Sequence, residues 1–281
     1  MILTKGQLGM RKLSVCVPAY NAERTLSATL DSVLAQDLDF EVVILDNAST
    51  DRTGDIARAR RDPRVRVLRN DRVLPIGANW DRAIRESTGD LVKVVCADDI
   101  LRPGALAAQS AEFDDKAVAL CAGRFDVIDE SGDLLETGLG LPQLVGRHGS
   151  RQLARVIVRR GPADFGPTAA AMFRRTDYDA VGGLRGDLVF PMDVDLFARV
   201  GSRGAFVGLG DIVAAWRNSS FNLCSRTSTR SKLTEQLRFH HRLGADHPDL
   251  VRPADVVAGD LRLVRALGTR LRVRARGMVG R

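Results

Sequence analysis

Four short runs of apolar, largely β-branched residues recur in the first hundred positions, and they constrain the fold more than any other feature of this sequence. They are LSVCV at 13–17, FEVVILD at 40–46, VRVLRN at 65–70 and LVKVVCA at 91–97. A segment with helical spacing of apolar positions, or with helix-capping residues at its start, follows each run. Strands that are apolar on both faces and alternate with helices predict a parallel sheet covered on both sides.

The length and composition allow one large α/β domain, alone or with a smaller appendage. The chain has 281 residues, of which 44% are hydrophobic. It contains no run of about 18 apolar residues, and its amino terminus lacks the cleavage site of a signal peptide. Its four cysteines form no CxxC pair, which argues against zinc and redox sites. These observations predict a soluble cytoplasmic protein.

The positive charge is concentrated at the carboxyl terminus. The net charge is +7, and the residues after position 260 contain seven Arg and no acid, so residues 1–260 are neutral overall. We therefore expect no nucleic-acid binding by the folded part of the chain. The basic tail, 262–281, has two open interpretations: it lies on an anionic membrane surface, or it is a solvated or disordered end. The membrane interpretation is favoured by four apolar residues at roughly helical spacing, Leu261, Val264, Leu267 and Leu271. The alternation of residues in RLRVRAR is not helical and weakens the membrane interpretation.

Polar residues follow the predicted strands, where parallel sheets bind their ligands. Asp98 and Asp99 end the fourth strand, and their mutual repulsion would be relieved by a divalent cation such as Mg²⁺ or Mn²⁺. The alternative is that the pair only caps the turn before the next helix. Asp46 ends the second strand and could accept a hydrogen bond from the imino N–H of a pyrimidine base, or could simply initiate an Asx turn.

The rest of the chain has a weaker pattern. Residues 118–128 and 168–175 are predicted strands, with a hairpin turn at 129–133. Residues 137–167 are rich in Gly and Pro, apart from a short helical stretch, and we expect a mobile, substrate-facing segment there. A helix is predicted over 190–200, and the pattern is helical again from about position 231.

Five segments, taken in order and spacing, resemble family 2 glycosyltransferases with the GT-A fold, over roughly residues 12–217. They are SVCVPAYNAERTLSATLDSVLAQ, VVILDNASTDRTGDIA, GDLVKVVCADDILRPGAL, FRRTDYDAVGGL and MDVDLFARV. The resemblance implies an α/β fold of GT-A type. Its Rossmann-like, mostly parallel sheet would carry helices on both faces, an acceptor-side subregion and a helical, basic C-terminal tail.

The resemblance also implies how the donor is held. In that family the turn after the first strand and the acid after the second strand hold the nucleoside. Carried onto this sequence, these roles fall on Pro18, Ala19, Tyr20 and Asn21, with Asp46 on the base.

The family's acidic motif ends the fourth strand, often as Asp-x-Asp. Here Cys96 occupies its first position, so the motif reads Cys-Ala-Asp, followed by another Asp. The resemblance implies that Asp98 faces the ribose or a metal ion and that Asp99 faces the metal ion, which would be Mg²⁺ or Mn²⁺. The cysteine is a departure from the family pattern at the metal site.

The resemblance assigns a catalytic base to the segment MDVDLFARV. The family's Glu-Asp-x-Asp-Leu pattern carries the base role onto Asp193, with Met192 in place of the preceding Glu. The base would deprotonate the acceptor hydroxyl as its oxygen attacks the anomeric carbon from the face opposite the diphosphate. The resemblance therefore implies inversion at the anomeric carbon. Asp195 and Arg199, four residues apart, are expected to orient the segment as a helical ion pair.

Two features near the end of the matched region complete the comparison. Trp216 and Arg217 fall where many relatives have an aromatic-Arg-x-His stretch, but Ser219 replaces the His, so no His metal ligand is expected. The later histidines His240, His241 and His247 are expected at the surface.

We expect three parts: a nucleotide-sugar-binding half at 11–125, an acceptor-binding and catalytic half of the same domain at 126–230, and a helical extension with a basic tail at 231–281. The predicted function is transfer of a sugar from a UDP-, dTDP- or GDP-linked donor to a saccharide or lipid-linked acceptor in bacterial-type cell-surface glycan or glycolipid synthesis. The alternative is a catalytically silent nucleotide-binding module of the same fold. The protein is expected in the cytoplasm, and under the membrane interpretation of the basic tail it would lie peripherally on the inner face of the plasma membrane.

Overall fold

The computed structural model describes residues 12–279, apart from the side chains at 163, 224 and 267–279. Within this part of the chain, ten strands form one sheet. In chain order they are β1 Leu13–Ala19, β2 Glu41–Asp46, β3 Val65–Arg69, β4 Leu91–Val94, β5 Ile100–Leu101, β6 Val118–Ile128, β7 Leu134–Leu139, β8 Gly146–His148, β9 Ala171–Arg174 and β10 Ala205–Arg217.

Helices cover the sheet and form the carboxyl-terminal part of the chain. In chain order they are α1 Leu26–Leu34, α2 Thr53–Ala59, α3 Ile76–Glu86, α4 Ala105–Glu112, α5 Ser150–Arg160, α6 Pro162–Phe165, α7 Arg175–Ala180, α8 Met192–Val200, α9 Leu223–Arg226, α10 Thr229–Asp246 and α11 Pro253–Val279. Two 3-10 helices lie at Thr168–Ala170 and Gly201–Arg203. Among the helices that the structure describes, none is long and apolar enough to cross a bilayer.

The four predicted strands form the parallel half of the sheet, in the order β3-β2-β1-β4. Ala19 pairs with Asp46 and Asp46 pairs with Arg69, so β1, β2 and β3 end at the same level. The prediction of a parallel sheet with helices on both faces is confirmed for this half. The residues that follow these strands meet at one edge.

The other half of the sheet is mixed, because β9 runs antiparallel between β4 and β6. The predicted strand at 168–175 is partly correct, since its first three residues form a 3-10 helix. β6 matches its predicted bounds and forms a hairpin with β7 through the predicted turn at 129–133. β10 was not predicted: Gly208, Gly210 and Asp211 interrupt its apolar pattern, where the register with β6 shifts.

Both faces of β1 are buried, as its continuous apolar sequence predicts. Val15 and Val17 pack in a cluster with Leu26 and Leu30 of α1. Cys16 points to the other face and belongs to a second cluster, which also holds Trp80 of α3 and side chains of α5, α8 and α10. Alternate strand residues face opposite sides of a sheet, so one strand contributes to both core layers.

Residues 137–167 contain more regular structure than the sequence predicts, and the short helical stretch predicted within them is confirmed as α5. The stretch holds the end of β7, then β8, α5 and α6, and α5 buries Leu153, Ala154, Ile157 and Val158. These four positions lie on one helical face, so they supply the burial that stabilises the helix. The predicted mobility of this stretch and its predicted contact with substrate stay predictions.

The carboxyl-terminal extension is helical, as predicted. The prediction that His240 is a surface residue is wrong: it is fully buried on α10, because α11 covers it. Its Nδ1 lies 2.8 Å from Asp260 Oδ1 on α11, and its Nε2 lies 3.1 Å from Gln236 Nε2. Of the basic tail, the side chains from 267 onward lie outside the described residues, as do residues 1–11.

Candidate active site

The loop after β4 brings three potential ligand atoms together. Val95 N–H continues the pairing of β4 with β1 by donating to Cys16 O, and a turn then closes as Asp99 N–H donates to Cys96 O at 3.0 Å. The turn places Cys96 Sγ and one carboxylate oxygen from each of Asp98 and Asp99 within 4.8 Å of one another. Among the described residues, this is the cluster with the geometry to hold a metal ion.

The two carboxyl groups of this loop are poorly solvated. Burial raises the pKa of Asp99 well above its usual range, and the neighbouring charge of Asp98 raises it further. Burial also raises the pKa of Asp98. The positive charge of Arg217, at the end of β10, acts in the opposite direction and lowers the pKa of both carboxyl groups. The backbone N–H of Arg217 also donates to Asp99 Oδ1 at 3.2 Å. A bound cation would stabilise both carboxylates in their ionised form.

Arg217 also fixes the shape of this loop. Its guanidinium donates to Asp98 O and to the carbonyls of Asp129 and Glu130 in the β6–β7 turn, each at 3.0 Å. The side chain is buried, and its hydrogen bonds join the acidic loop to the neighbouring hairpin. The loop is therefore held in place before any ligand binds.

The donor set fits Mg²⁺ or Mn²⁺. Both ions prefer oxygen ligands and usually take one or two protein carboxylates, with water and phosphate oxygens in the remaining positions. Asp98 and Asp99 supply two carboxylates on one side of the loop. Burial, together with the charges of Asp99 and Asp98, raises the pKa of the Cys96 thiol well above its usual range, so it is a weak ligand for a hard cation.

The turn after β1 is tied to the loop after β2. Asn21 N–H donates to Ser49 Oγ at 3.0 Å, and Asn21 Oδ1 accepts from Thr50 N–H at 2.9 Å. Asn21 and Ala48 have φ of 48° and 54°, in the left-handed region that costs energy for residues with a Cβ. Pro18 and Ala19 lie in β1, whereas Tyr20 is exposed just beyond the strand end. The predicted nucleoside residues thus line one edge.

Asp46 is buried, and its carboxylate already has partners. Ser49 N–H donates to Oδ1 at 2.9 Å, and Arg69, its neighbour on β3, forms an ion pair with Oδ2. A Cβ on Gly54 would lie 2.8 Å from Oδ2, so glycine is needed at the start of α2. The contact with Ser49 is a local one, as in the alternative for this residue, but it reaches three residues along the chain and not the two of an Asx turn. The predicted contact with a base stays a prediction.

A buried asparagine cluster lies beside this edge, and the sequence did not single it out. Asn47 Oδ1 accepts from Leu74 N–H at 2.9 Å and from Asn70 Nδ2 at 2.6 Å, and Asn70 Nδ2 also donates to Asn79 Oδ1 at 2.8 Å. Buried amides need such partners. The cluster holds the loop after β3 against the loop after β2. The usable sequence signal was an Asn directly after each of these two strands.

Asp193 lies in the first turn of α8, with both carboxylate oxygens hydrogen-bonded. Thr168 Oγ1 donates to Oδ2 at 2.9 Å, and Val194 N–H donates to Oδ1 at 2.8 Å. Burial raises the pKa of Asp193, and these two hydrogen bonds act in the opposite direction. The resulting carboxyl group is held in a fixed orientation and is poorly solvated.

Thr168 links this acid to the loop after β4, and sequence reasoning missed it. The Thr168 side chain also lowers the pKa of the Cys96 thiol, against the larger effect of burial. Cys96, the departure from the family's acidic motif, therefore lies close to the candidate base, whose charge raises the thiol pKa.

Asp195 and Arg199 form a buried ion pair within α8, with Arg199 Nε 2.9 Å from Asp195 Oδ2. Arg185 approaches the other oxygen at 3.2 Å. Both oxygens of Asp195 therefore bond within the protein, in keeping with the expected orienting role. Met192 is buried, and its sulfur would lie 3.3 Å from a Cβ on Gly77 of α3, so it packs in the core.

Comparison with known proteins finds relatives across most of the chain. An uncharacterised protein of Mycobacterium tuberculosis is 30% identical over 254 residues, which is 86% of this chain and 79% of the relative. The succinoglycan biosynthesis protein ExoU of Rhizobium meliloti is 30% identical over 240 residues, covering 79% and 67% of the two chains. Homologues therefore include proteins of bacterial cell-surface polysaccharide synthesis.

Solved structures share the fold at low sequence identity. The crystal structure of residues 1–349 of S. aureus TarS has a TM-score of 0.66 and 20% identity, over 90% of this chain and 71% of that chain. The mannosyltransferase PcManGT from Pyrobaculum calidifontis, in complex with GDP-Man and Mn²⁺, has a TM-score of 0.61 and 16% identity, over 97% of this chain and 81% of that chain. The predicted GT-A fold is confirmed.

The family assignment rests on the segment that contains the strand edge, the acidic loop and Thr168. The model of glycosyl transferase family 2 matches residues 14–182. This confirms the resemblance noted in the five sequence motifs, and the chain belongs to glycosyl transferase family 2.

Proposed function

We propose that this chain is an inverting, metal-dependent glycosyltransferase that moves a sugar from a nucleotide-sugar donor to a hydroxyl group of a saccharide or lipid-linked acceptor. One observation carries the proposal. The acid pair Asp98 and Asp99 lies with Cys96 at the end of β4, and, besides burial, the charge of Asp193 on α8 raises the pKa of both Cys96 and Asp99, so a candidate base lies near a site for a diphosphate.

The donor would bind at the carboxyl edge of the parallel strands. We assign the nucleoside to Pro18, Ala19, Tyr20 and Asn21, with Asp46 toward the base. For Asp46 this requires that Arg69, which is half-exposed, moves from its ion pair or that an oxygen accepts an additional hydrogen bond. The solved complexes of related folds support a nucleotide sugar, since TarS is seen with UDP-GlcNAc and PcManGT with GDP-Man.

Asp98 and Asp99 would hold Mg²⁺ or Mn²⁺, with Asp98 also near the ribose. When bound, the cation would neutralise the diphosphate and stabilise the leaving nucleoside diphosphate. The presence of Mn²⁺ in the PcManGT complex supports the use of a divalent ion. Arg217 would keep the loop in shape whether or not the ion is present, because its guanidinium bonds to three carbonyl groups.

Asp193 would act as the general base. Its carboxylate would take the proton from the acceptor hydroxyl as the acceptor oxygen attacks the anomeric carbon on the face opposite the diphosphate, which gives inversion. The raised pKa of Asp193, caused by burial, brings its basicity closer to neutral pH than that of a solvated Asp. Thr168 and Val194 hold the carboxylate in one orientation.

The acceptor and the cellular location are proposals as well. Relatives in succinoglycan synthesis support a saccharide or lipid-linked acceptor in bacterial-type cell-surface glycan or glycolipid synthesis. The cytoplasmic location expected from the sequence stays a prediction.

A thermal-shift series tests donor and metal binding together. Stabilisation by UDP, dTDP or GDP should require Mn²⁺ or Mg²⁺, because a ligand that binds only the native state raises its stability with concentration. Asp99→Asn should remove the metal-dependent part of this stabilisation. Asp115→Asn, which changes an exposed acid outside the loop after β4, should keep the full stabilisation. Equal stabilisation with a chelator present would contradict the metal proposal.

The second candidate function is a catalytically silent nucleotide-binding module. The replacement of acids by Cys96 and Met192 within the two acidic motifs favours it. A panel of nucleotide sugars with mixed saccharide acceptors separates the two functions. Release of nucleoside diphosphate supports the enzyme, whereas tight nucleotide binding without turnover on any donor supports the module.

A further inference from the structure

An apolar stripe lies on the outer face of α11. Val257, Leu261 and Val264 are 56%, 51% and 61% exposed, and their spacing of four and three residues places them on one face of the helix. Large apolar side chains that share an exposed helix face commonly mark an interaction surface. We call these three residues the α11 stripe.

The stripe points outward because the opposite face of α11 is fixed to the domain. Asp255 forms an ion pair with Arg155 of α5 at 3.2 Å. Gly259 lies so close to α5 that a Cβ there would be 2.5 Å from Val158 O. At the next residue, beside the stripe, both carboxylate oxygens of Asp260 bond to histidines of α10. The helix therefore cannot rotate to bury the stripe without breaking these contacts.

The last side chains of α11 that the structure describes are exposed. They are residues 264–266, and the helix itself continues to Val279. The sequence of this part repeats an apolar residue at Leu271, seven residues after Val264, and adds arginines. After position 260 the chain has seven Arg and no acid, which is the whole net charge of +7.

We propose that the α11 stripe and the arginines that follow it dock the protein on an anionic lipid surface. A helix that combines an exposed apolar face with basic residues lies in the interface plane of such a membrane. Each Arg near an anionic surface strengthens binding by about fivefold. The inference deepens the proposed function and rests on it for the acceptor, since a lipid-linked acceptor would lie in this surface. The structural observations that support the docking surface come from α11.

A second exposed apolar pair on the domain lacks this charge. Leu134 and Leu135 on β7 are exposed to a similar degree, but the acids that flank them in sequence, Asp133 and Glu136, are exposed as well. An anionic lipid surface would repel these acids. The acid next to Leu261, Asp260, instead bonds through both carboxylate oxygens to His240 and His241. The charge pattern therefore distinguishes the α11 stripe from an ordinary exposed pair, and it makes β7 the matched control.

Vesicle flotation of the full chain tests the proposal. The wild type should bind vesicles of phosphatidylcholine mixed with phosphatidylglycerol, should not bind phosphatidylcholine alone, and should lose binding as salt is raised. Replacing Val257, Leu261 and Val264 together by Ser should weaken binding by about tenfold or more. Replacing Arg272, Arg274 and Arg276 by Gln should weaken it by about 100-fold, and Leu134→Ser with Leu135→Ser should leave it unchanged.

Three outcomes would overturn the proposal. The first is a wild type that does not bind anionic vesicles, or a stripe variant that binds them as well as the wild type. The second is a stripe variant that changes a dimer into a monomer in light scattering while vesicle binding persists, which would make the stripe a contact between copies. The third is duplex DNA binding that depends on the arginines, with no vesicle binding.

Failure of this inference is distinguishable from failure of the proposed function. Circular dichroism melting shows whether the stripe variant stays folded, and the three replaced side chains are all exposed. Nucleoside diphosphate binding in the thermal-shift series does not involve α11. Intact nucleotide binding without vesicle binding therefore overturns the docking surface alone.

Discussion

Replacement of Thr168 by Val tests how the candidate base is controlled. Val has nearly the same shape, so the buried site should stay packed, but the hydrogen bond from Thr168 Oγ1 to Asp193 Oδ2 at 2.9 Å is lost. Burial raises the pKa of Asp193, and the Thr168 hydrogen bond lowers it. Removing the hydrogen bond therefore raises the pKa further, and the acid limb of the kcat/KM profile should move to higher pH.

The size of the effect follows from the interaction that is lost. A hydrogen bond to a charged group contributes about 1.5–3 kcal/mol. On the acid limb, where the ionised fraction of Asp193 limits the rate, Thr168→Val should therefore lower kcat/KM by about 10- to 150-fold. Above the acid limb, the carboxylate is fully ionised in both proteins, and the two rates should approach each other.

The assay is nucleoside diphosphate release from the active donor across a pH series, with Thr168→Ser as the control. The Ser variant keeps the hydroxyl donor and should keep the profile of the wild type. A Val variant whose profile superimposes on that of the wild type would refute the reasoning. A loss of the same size at every pH would also refute it, because a packing defect, and not protonation of Asp193, would then explain the loss.

Other predictions concern stability and metal binding. Burial lowers the pKa of Lys93 from 10.5 to about 7. The unfolded state therefore binds this proton up to a higher pH, and the free energy of unfolding should rise between those two pH values, by about 5 kcal/mol at most. Urea unfolding at the two ends of this range should show a smaller rise for Lys93→Met than for the wild type or for Lys116→Met, an exposed control. Gly259→Ala should lower the free energy of unfolding by about 1–3 kcal/mol, since its Cβ would lie 2.5 Å from Val158 O; an unchanged urea midpoint would contradict the close packing of α11. Removal of Mn²⁺ and Mg²⁺ by a chelator should abolish turnover, and a turnover that persists equally in Asp99→Asn would contradict the metal site.

Much of the parallel half was predictable from the sequence because its signals are local. The continuous apolar runs of β1, β2 and β4 mark strands that are buried on both faces. Once these strands are known to be parallel, their following residues must share an edge. Asp46, Asp98 and Asp99 were placed there by this rule alone.

The parts that were missed depend on contacts between distant segments. Thr168 meets Asp193 only because β9 enters the sheet beside β4 and carries the 3-10 helix toward α8. A single Thr among Pro and Ala residues has no periodic signal. His240 lies in a polar stretch of α10, and its burial is decided by α11, which closes over it through Gly259.

The partners of Asp46 show a different limit of sequence reasoning. Its position at the end of β2 was predictable, but its ion pair with Arg69 arises from the register of β2 and β3. The same register aligns the ends of three strands. The sequence pattern therefore predicts that a residue lies at the carboxyl edge of the strands, where ligands bind. It does not predict which groups that residue hydrogen-bonds to.

The most direct test of the account compares the wild type with Asp193→Asn for both nucleotide binding and sugar transfer. The wild type should release nucleoside diphosphate from at least one donor of the panel in the presence of Mn²⁺. Asp193→Asn should bind that nucleoside diphosphate with unchanged affinity but transfer sugar about 10²- to 10⁴-fold more slowly, because it lacks a base. Equal transfer rates for the two proteins would contradict the account.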